Sequence, residues 1–226
     1  MPLKLKDRVN EELTKKPSTN PYRALMSQFQ NIIDTTDKSF ETIESPLFAN
    51  KNPLHLEIGS GSGNFLKTMA EENPSINFIG VDLRFKRLVS SANKSKDFNN
   101  IVFIKGRGEN VDKILKNNPL DHLYIFFPDP WPKKRHKKNR LVNAQFLKKI
   151  SNILKNNGII EIKSDHGEYF DFMIEEIKKS PYEVEELSRD LYSEKSLDQS
   201  ASEFEQMFYN QGLKINYVRL RKSEKI

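Results

Sequence analysis

The feature that most constrains the fold is an alternation that begins at Leu54. From there, short apolar runs alternate with amphipathic stretches of helical periodicity. Near-continuous apolar runs are typical of strands buried on both faces, and their alternation with helices predicts a parallel sheet. The predicted strands are Leu54–Ile58, Ile76–Val81, Ile101–Ile104, Leu123–Phe127, Ile159–Ile162, Tyr182–Leu187 and Leu213–Leu220.

Helical patterns lie between these strands. Together, the strands and helices predict one doubly wound α/β domain over residues 51–226, with about seven mostly parallel strands and helices on both faces of the sheet. Gly158 is the expected C-cap of the fourth helix. Residues 1–50 contain one further predicted helix, Tyr22–Asp34, and we interpret them as a partly mobile N-terminal extension. The helices predicted in the domain are Asn64–Glu72, Phe85–Lys96, Val111–Lys116, Ala144–Leu154 and Tyr169–Lys179.

Composition excludes several classes of protein. The chain has no cysteine, which excludes disulfides, thiolate metal sites and a cysteine nucleophile. Its first ten residues, MPLKLKDRVN, lack the apolar core of a signal peptide, and no run of about 18 apolar residues follows. The four histidines show no metal-ligand spacing. We expect a cytoplasmic protein, monomer or homodimer, without a membrane or metal partner.

Ligands of doubly wound sheets bind beyond the carboxyl ends of the strands. After the first strand the sequence reads Glu57-Ile-Gly59-Ser-Gly61-Ser-Gly63. Glycines at this spacing allow a tight turn and let the backbone approach a ligand closely. Asn64 breaks the dinucleotide fingerprint, which needs a small residue there, and a P-loop lysine is missing. An acid before the first glycine suits a ligand with an amino group and a sulfonium better than one with phosphates.

The next two strand ends are also informative. Asp82 ends the second strand, where a carboxylate can accept hydrogen bonds from both ribose hydroxyls; it could equally cap the following helix. After the third strand, Gly106-Arg-Gly108-Glu109-Asn110 provides an acid and an amide where an adenine edge would lie.

The fourth strand leads into a stiff and then strongly basic loop. Pro128-Asp129-Pro130-Trp131-Pro132 has few backbone donors and presents Asp129 outward. Residues 133–140, KKRHKKNR, hold six Lys and Arg residues and no acid, and the rest of the 226-residue chain is formally neutral with 31 bases and 31 acids. Clustered cations beside a reaction centre favour a polyanion partner. The predicted phosphate contacts are Lys134, Arg135, Lys137, Lys138 and Arg140.

The pattern E-x-G-x-G-x-G followed by the acid Asp82 resembles the Rossmann-like class I S-adenosylmethionine-dependent methyltransferases. The resemblance implies a seven-stranded sheet with one antiparallel strand near its C-terminal edge. The string PDPWPKKRH resembles more closely the tRNA (guanine-N7)-methyltransferases, which modify guanine in the variable loop. It is joined by Lys163-Ser-Asp165, by Asn20-Pro21-Tyr22, and by Ser202-Glu203-Phe204-Glu205, where the family usually has Thr-x-Tyr-Glu.

This resemblance implies roles by position. Asp129 is the expected catalytic residue. S-adenosylmethionine is the expected cofactor and tRNA the expected partner. The implied cofactor contacts are Glu57, Gly59, Gly61, Gly63, Asp82, Glu109, Asn110 and Asp129. The implied substrate contacts are Lys133, Asp165, Ser202, Glu203, Phe204 and Glu205.

The chemistry of the base adds further expectations. Guanine N7 carries a free lone pair, so we expect Asp129 to orient groups and not to remove a proton. Asp165 or Glu205 is expected to accept from guanine N1–H and N2–H₂, with Lys133 or a neighbour donating to O6. Trp131, Phe204 or Tyr169 could stack on a flipped base.

Two alternatives stay open. An amino-group methyltransferase acting on adenine or cytosine has a related Asp-Pro-Pro-aromatic loop, but Trp131 takes the place of the second proline here. The other alternative is an RNA-binding protein of the same fold without catalysis, which the presence of Glu57, Asp82 and Asp129 opposes.

Overall fold

The computed structural model describes residues 20–35 and 42–223. Within them, eight strands form one sheet in the spatial order β1-β4-β3-β2-β5-β6-β8-β7. The strands are β1 Ile32–Asp34, β2 Leu54–Ile58, β3 Asn77–Asp82, β4 Ile101–Lys105, β5 Leu120–Phe126, β6 Leu154–Ser164, β7 Tyr182–Ser188 and β8 Asn216–Lys222. The helices are α1 Pro21–Met26, α2 Asn64–Glu72, α3 Phe85–Lys94, α4 Val111–Ile114, α5 Ala144–Ile150, α6 Gly167–Ile177 and α7 Glu203–Asn210.

The sheet is doubly wound, as predicted. Strands β1 to β6 pair in parallel, and β8 runs antiparallel to both β6 and β7. The chain winds outward in one direction from β2 and in the other from β5, so the switch point lies between these two neighbours. Ligand sites of such sheets lie at the carboxyl ends of the strands that flank this point.

Both faces of the sheet carry an apolar layer. On one face Phe65 and Leu66 of α2 and Leu88 of α3 pack against Phe78 and Phe103. On the other, helices α4, α5 and α6 cover alternate residues of β2, β3 and β5. Each fully buried Leu, Ile or Phe side chain contributes about 1.5–3 kcal/mol. Within the described ranges, the helices are too short and polar to cross a membrane.

The predicted N-terminal helix Tyr22–Asp34 is wrong in its second half. Helix α1 begins at the N-cap Asn20, whose side chain accepts from the Tyr22 backbone N–H, and it ends at Met26. The β-branched pair Ile32 and Ile33 instead adds a parallel edge strand beside β4. This strand makes the count eight where seven were expected. The expectation of mobility for residues 1–19 and 36–41 lies outside the described residues.

Gly158 does not cap a helix. Helix α5 ends at Ile150 and β6 has already begun at Leu154. The register between β5 and β6 is irregular here, with Asn157 at φ 61°. A Cβ on Gly158 would lie 2.6 Å from Leu154 Cγ, so glycine is required by an irregular strand start.

Candidate active site

The glycine-rich loop lies directly beyond β2 at the switch point. Gly59, Gly61 and Gly63 have φ values of 82°, 55° and 75°, the left-handed region that favours glycine. A Cβ on Gly63 would lie 2.7 Å from Ser91 Cβ on helix α3. The predicted tight turn is therefore present, and it brings main chain instead of side chains to the edge of the cleft.

Glu57 lies on β2 at the base of this loop with only 3 % of its surface exposed. Its Oε2 has no hydrogen-bond partner among residues 20–35 and 42–223. Burial, and next the charge of Asp82, raise the pKa of this carboxyl to about 8. A buried acceptor without a donor is costly, so the site favours a ligand that brings a cationic donor.

Asp82, at the end of β3, accepts from the backbone N–H of Gly61 at 3.0 Å and of Arg84 at 2.8 Å. Burial raises the pKa of this carboxyl, and the two N–H donors oppose the shift. The N-cap of α3 is Arg84, so Asp82 stands before the cap position and braces the glycine loop.

The third predicted segment follows β4 and forms a 3₁₀ helix, Gly108–Asn110. A Cβ on Gly108 would lie 2.4 Å from Cγ2 of Ile58, so the chain passes directly over the end of β2. Glu109 is exposed and Asn110 half-buried. The role of Glu109 and Asn110 in holding an adenine stays a prediction.

The N-terminus of helix α7 crosses the glycine loop. Oε1 of Glu203 accepts from Ser62 Oγ at 2.6 Å and from Asn64 Nδ2 at 2.8 Å. Its Oε2 lies 3.6 Å from Nη1 of Arg87. Glu203, predicted to contact the substrate, thus ties the predicted substrate segment to the predicted cofactor loop. The contacts of Arg87, Ser62 and Asn64 with Glu203 were not predicted, because they join segments up to 141 positions apart.

The glycine loop and the start of α7 line an open cleft, whereas Asp82, Glu109, Asn110 and Asp129 are not among the residues that line it. Its walls include Glu57, Arg87, the glycine loop and the start of α7, with Phe65, Phe126, Phe127 and Phe204 as aromatic members. The donor set fits S-adenosylmethionine: an unpartnered buried carboxylate can accept from the ligand's amino group, and aromatic rings suit a sulfonium cation. Glu57 and Asp82 would hold the amino group and the ribose.

The proline-rich loop begins at this wall. Phe127, which lines the cleft, and Trp131 both adopt left-handed backbone, at φ 52° and 43°. Such strain costs about 1–3 kcal/mol per residue and is concentrated at functional sites. Asp129 lies between them, exposed, two residues beyond the cleft wall. Asp129 thus follows Phe127 of the cleft wall closely along the chain, and its position beside the glycine loop stays a prediction.

The basic segment that follows contains a 3₁₀ helix, Lys134–Asn139. Lys133, Lys134, Arg135 and Lys138 are exposed. Lys137 is half-buried and pairs with Glu168 at 3.0 Å. The exposed residues Lys133, Lys134, Arg135 and Lys138, with Lys137 beside them, form a cationic ridge.

Arg140 departs from the predicted role as a phosphate contact. Only 1 % of its surface is exposed, and its guanidinium lies against the rings of Tyr169 and Phe172. Its Nε donates to the carbonyl oxygen of Pro130 at 2.9 Å. Because it is buried beneath the loop, Arg140 cannot reach a phosphate.

Glu205 also departs from its predicted role. It is fully buried, pairs with Lys163, and accepts from the Tyr192 hydroxyl. With Ser202 it forms the capping box of α7. Its acceptor sites are occupied by the scaffold, so it is not placed to contact a guanine edge. Asp165, just beyond β6, is exposed and keeps that role open.

The predicted stacking aromatics differ in accessibility. Phe204 is 38 % exposed and stacks on Phe208, with ring centroids 6.1 Å apart. Trp131 is half-buried and meets His136 edge-on at 5.7 Å. Tyr169 is fully buried, and its hydroxyl accepts from the Val142 backbone N–H, so it cannot stack on a base. In the described part of the chain, no three His, Asp or Glu side chains are grouped to hold a metal.

The sheet, the glycine loop and the Glu57 pocket together define a methyltransferase of Rossmann-like fold. Solved structures agree in fold: the 16S rRNA methyltransferase KamB superposes with a TM-score of 0.59 at 10 % identity, over 78 % of this chain and 91 % of that one. A fibrillarin/Nop5p complex gives 0.54 at 14 % identity, over 80 % and 77 %.

Sequence comparison names the family. Residues 51–218 match the family described as "Putative methyltransferase". A tRNA (guanine-N(7)-)-methyltransferase of Oceanobacillus iheyensis is 32 % identical over 87 % of this chain and 92 % of its own length. One of Clostridioides difficile is 35 % identical over 74 % and 79 %. This chain belongs to the tRNA (guanine-N7)-methyltransferase family.

A further relative differs in length. A bifunctional glycosyltransferase/methyltransferase of Fusobacterium nucleatum is 42 % identical over 79 % of this chain. The match spans only 28 % of that relative. The likeness therefore concerns one part of a longer protein.

Proposed function

We propose that this chain transfers a methyl group from S-adenosylmethionine to N7 of a guanine in the variable loop of tRNA. The observation that carries the proposal is the unpartnered Oε2 of Glu57, buried in a cleft that Phe127 also lines. Asp129 and the exposed basic residues 133–135 and 138 follow Phe127 along the chain. The chain thus combines a pocket suited to a cationic ligand with a basic surface suited to a polyanion. Family membership supports the choice of tRNA and of N7.

The cofactor's place follows from the donors and acceptors of the cleft. Glu57 accepts from the amino group, and Asp82 accepts from the ribose hydroxyls while it braces Gly61. Glu109 and Asn110 lie on the side where the adenine would be held. When bound, S-adenosylmethionine supplies a methyl group on a positively charged sulfur, and the aromatic wall at Phe126 and Phe127 faces this region.

Asp129 is proposed to orient the reacting groups. Guanine N7 is unprotonated at neutral pH, so the reaction needs no general base. It moves positive charge from sulfur to the base, and alignment of nucleophile and methyl group can contribute about 7–11 kcal/mol. A carboxylate on a stiff loop is suited to hold the base or the cofactor's amino group in line and to screen the cationic product.

Asp165 is proposed to select guanine over adenine, since both bases have an N7. Guanine alone offers N1–H and N2–H₂ side by side, and a carboxylate can accept both. Asp165 is exposed at the carboxyl end of β6, whereas Glu205 is buried in its ion pair. Lys133 is proposed to donate to O6, a common guanine contact.

The exposed bases Lys134, Arg135 and Lys138 are proposed to contact phosphates, with Lys137 at the edge of the ridge. Each phosphate contact releases condensed counterions, so affinity for tRNA falls steeply with salt. Phe204 and Trp131 are the aromatic side chains available to stack on an extruded base. A tRNA substrate is in keeping with the cytoplasmic location expected from the sequence.

The test is transfer of a labelled methyl group to tRNA transcripts, followed by digestion to nucleosides. The label is expected in 7-methylguanosine, and to be lost when the variable-loop guanine is replaced by adenine. A label in a methylated adenine or cytosine would favour the amino-group alternative. Cofactor binding without transfer to any transcript would favour the non-catalytic alternative.

A further inference from the structure

Arg140 is buried, which a role as a surface charge does not explain. It ends the most basic segment of the chain, yet it is one of the largest fully buried side chains in the described residues. Its guanidinium carbon lies 4.8 Å from the ring centroid of Tyr169 and 4.9 Å from that of Phe172. A buried charge is retained only where specific contacts hold it.

Those contacts join the proline-rich loop to the 3₁₀ helix that follows it. The side chain donates from Nε to the Pro130 carbonyl at 2.9 Å. The backbone N–H donates to the Lys137 carbonyl at 3.1 Å and ends the 3₁₀ helix. The prolines 128, 130 and 132 have no N–H of their own, and Trp131 is held at φ 43°. The loop therefore depends on an external donor for its shape.

The anchor beneath Arg140 belongs to the element that follows Asp165. Tyr169 and Phe172 lie on α6, which begins at Gly167. The Tyr169 hydroxyl accepts from the Val142 N–H at 3.1 Å, and Glu168 Oε1 lies 3.7 Å from Arg140 Nη2. One side chain thus connects the loop that carries Asp129 with the helix that begins two residues after Asp165.

We propose that Arg140 is a positioning residue, which clamps the Pro130 carbonyl onto α6 and so fixes Asp129 relative to Asp165. Its Nη2 has no hydrogen-bond partner among the described residues, and the proposal assigns it no contact with phosphate or cofactor. The inference rests on the proposed function for its kinetic test, but not for its conformational test. Lysine at position 140 keeps the charge and loses both the Nε donor and the planar stacking surface.

Trp131 is the only tryptophan in the chain, so its fluorescence reports directly on this loop. In Arg140→Lys we expect faster acrylamide quenching of Trp131. We also expect a single-turnover methyl transfer rate lower by about 100-fold, the typical effect of misplacing reacting groups by about 1 Å. Affinity for S-adenosylmethionine should change less than threefold. Phe172→Leu, which keeps the Nε donor, should show smaller effects in the same direction.

Lys138→Gln is the matched control from the ridge. It should reduce the salt dependence of tRNA binding without altering Trp131 quenching, whereas Arg140→Lys should leave that dependence unchanged. A reduced salt dependence in Arg140→Lys would make Arg140 a phosphate contact and overturn the proposal. So would unchanged quenching with an unchanged rate, or a joint loss of cofactor affinity and thermal stability. If the wild-type chain methylates no tRNA, the proposed function fails while the quenching comparison still tests the clamp.

Discussion

If Glu57 accepts from the amino group of S-adenosylmethionine as proposed, its ionisation should make cofactor binding depend on pH. Its carboxyl is buried and its pKa is raised to about 8 by burial, so at pH 7 the free protein holds it mostly protonated. A cationic amino group needs the ionised form. If the bound carboxylate stays ionised to below pH 6, affinity should rise about 20-fold from pH 6 to 7.5. Binding at pH 7 should release about 0.9 proton per cofactor.

Titration calorimetry in two buffers of different ionisation enthalpy measures this proton directly. Glu57→Gln is the control, since it keeps the shape of the side chain and removes the ionisation. In that variant, affinity should be lower and nearly independent of pH over this range. Equal heats in both buffers with the wild-type protein, together with a flat affinity from pH 6 to 7.5, would refute the assignment of Glu57.

The same ionisation should affect stability with a defined sign. The pKa of Glu57 is about 8 in the folded protein and 4.5 in its unperturbed state. The folded state therefore binds more protons between these values, and this residue's contribution to stability falls as pH rises through that window. Thermal unfolding should show a smaller loss from pH 6 to pH 8 in Glu57→Gln than in the wild-type protein.

Three further predictions concern the substrate contacts and the scaffold beneath them. Asp165→Asn should lower kcat/KM for tRNA about 10- to 100-fold, because a bidentate guanine contact is lost. It should also narrow the difference in methyl transfer rate between guanine- and inosine-containing transcripts. A guanine-to-inosine rate ratio equal to that of the wild-type protein would argue against the role of Asp165. In Lys134→Gln, the slope of log tRNA affinity against log salt concentration, measured by filter binding, should be smaller by about 0.7–0.9. An unchanged slope would show that Lys134 does not contact a phosphate. Glu205→Gln leaves Lys163 without its buried ionic partner. The free energy of unfolding, measured by urea denaturation, should fall by about 3–5 kcal/mol. A variant as stable as the wild-type protein would contradict the scaffold role of Glu205.

The sequence was informative wherever one strand end carries its own motif. The E-x-G-x-G-x-G loop, Asp82 and the proline-rich loop each follow a predicted strand, and parallel strands bring their carboxyl ends to the same edge. The strand β2 and the helix α2 have the predicted bounds. The antiparallel β8 was anticipated from the resemblance to class I methyltransferases.

What the sequence could not reveal depends on contacts between distant segments. Arg140 was predicted to contact phosphate and Glu205 to contact the substrate base. Only the folded chain shows that Arg140 is buried under the loop and that Glu205 is buried in its pair with Lys163. Glu203 reaches Ser62 across 141 positions. Strand β1 was missed because two isoleucines fit a helical pattern as well as a strand, and the open edge of β4 decided the outcome.

The central claim is that the methyl group goes to N7 of a tRNA guanine. It is tested most directly with transcripts that carry 7-deazaguanine at the variable-loop position, where carbon replaces the nucleophilic nitrogen and the rest of the base is kept. The account predicts that labelled methyl transfer disappears while tRNA binding is retained. Continued transfer to the 7-deazaguanine transcript would contradict it.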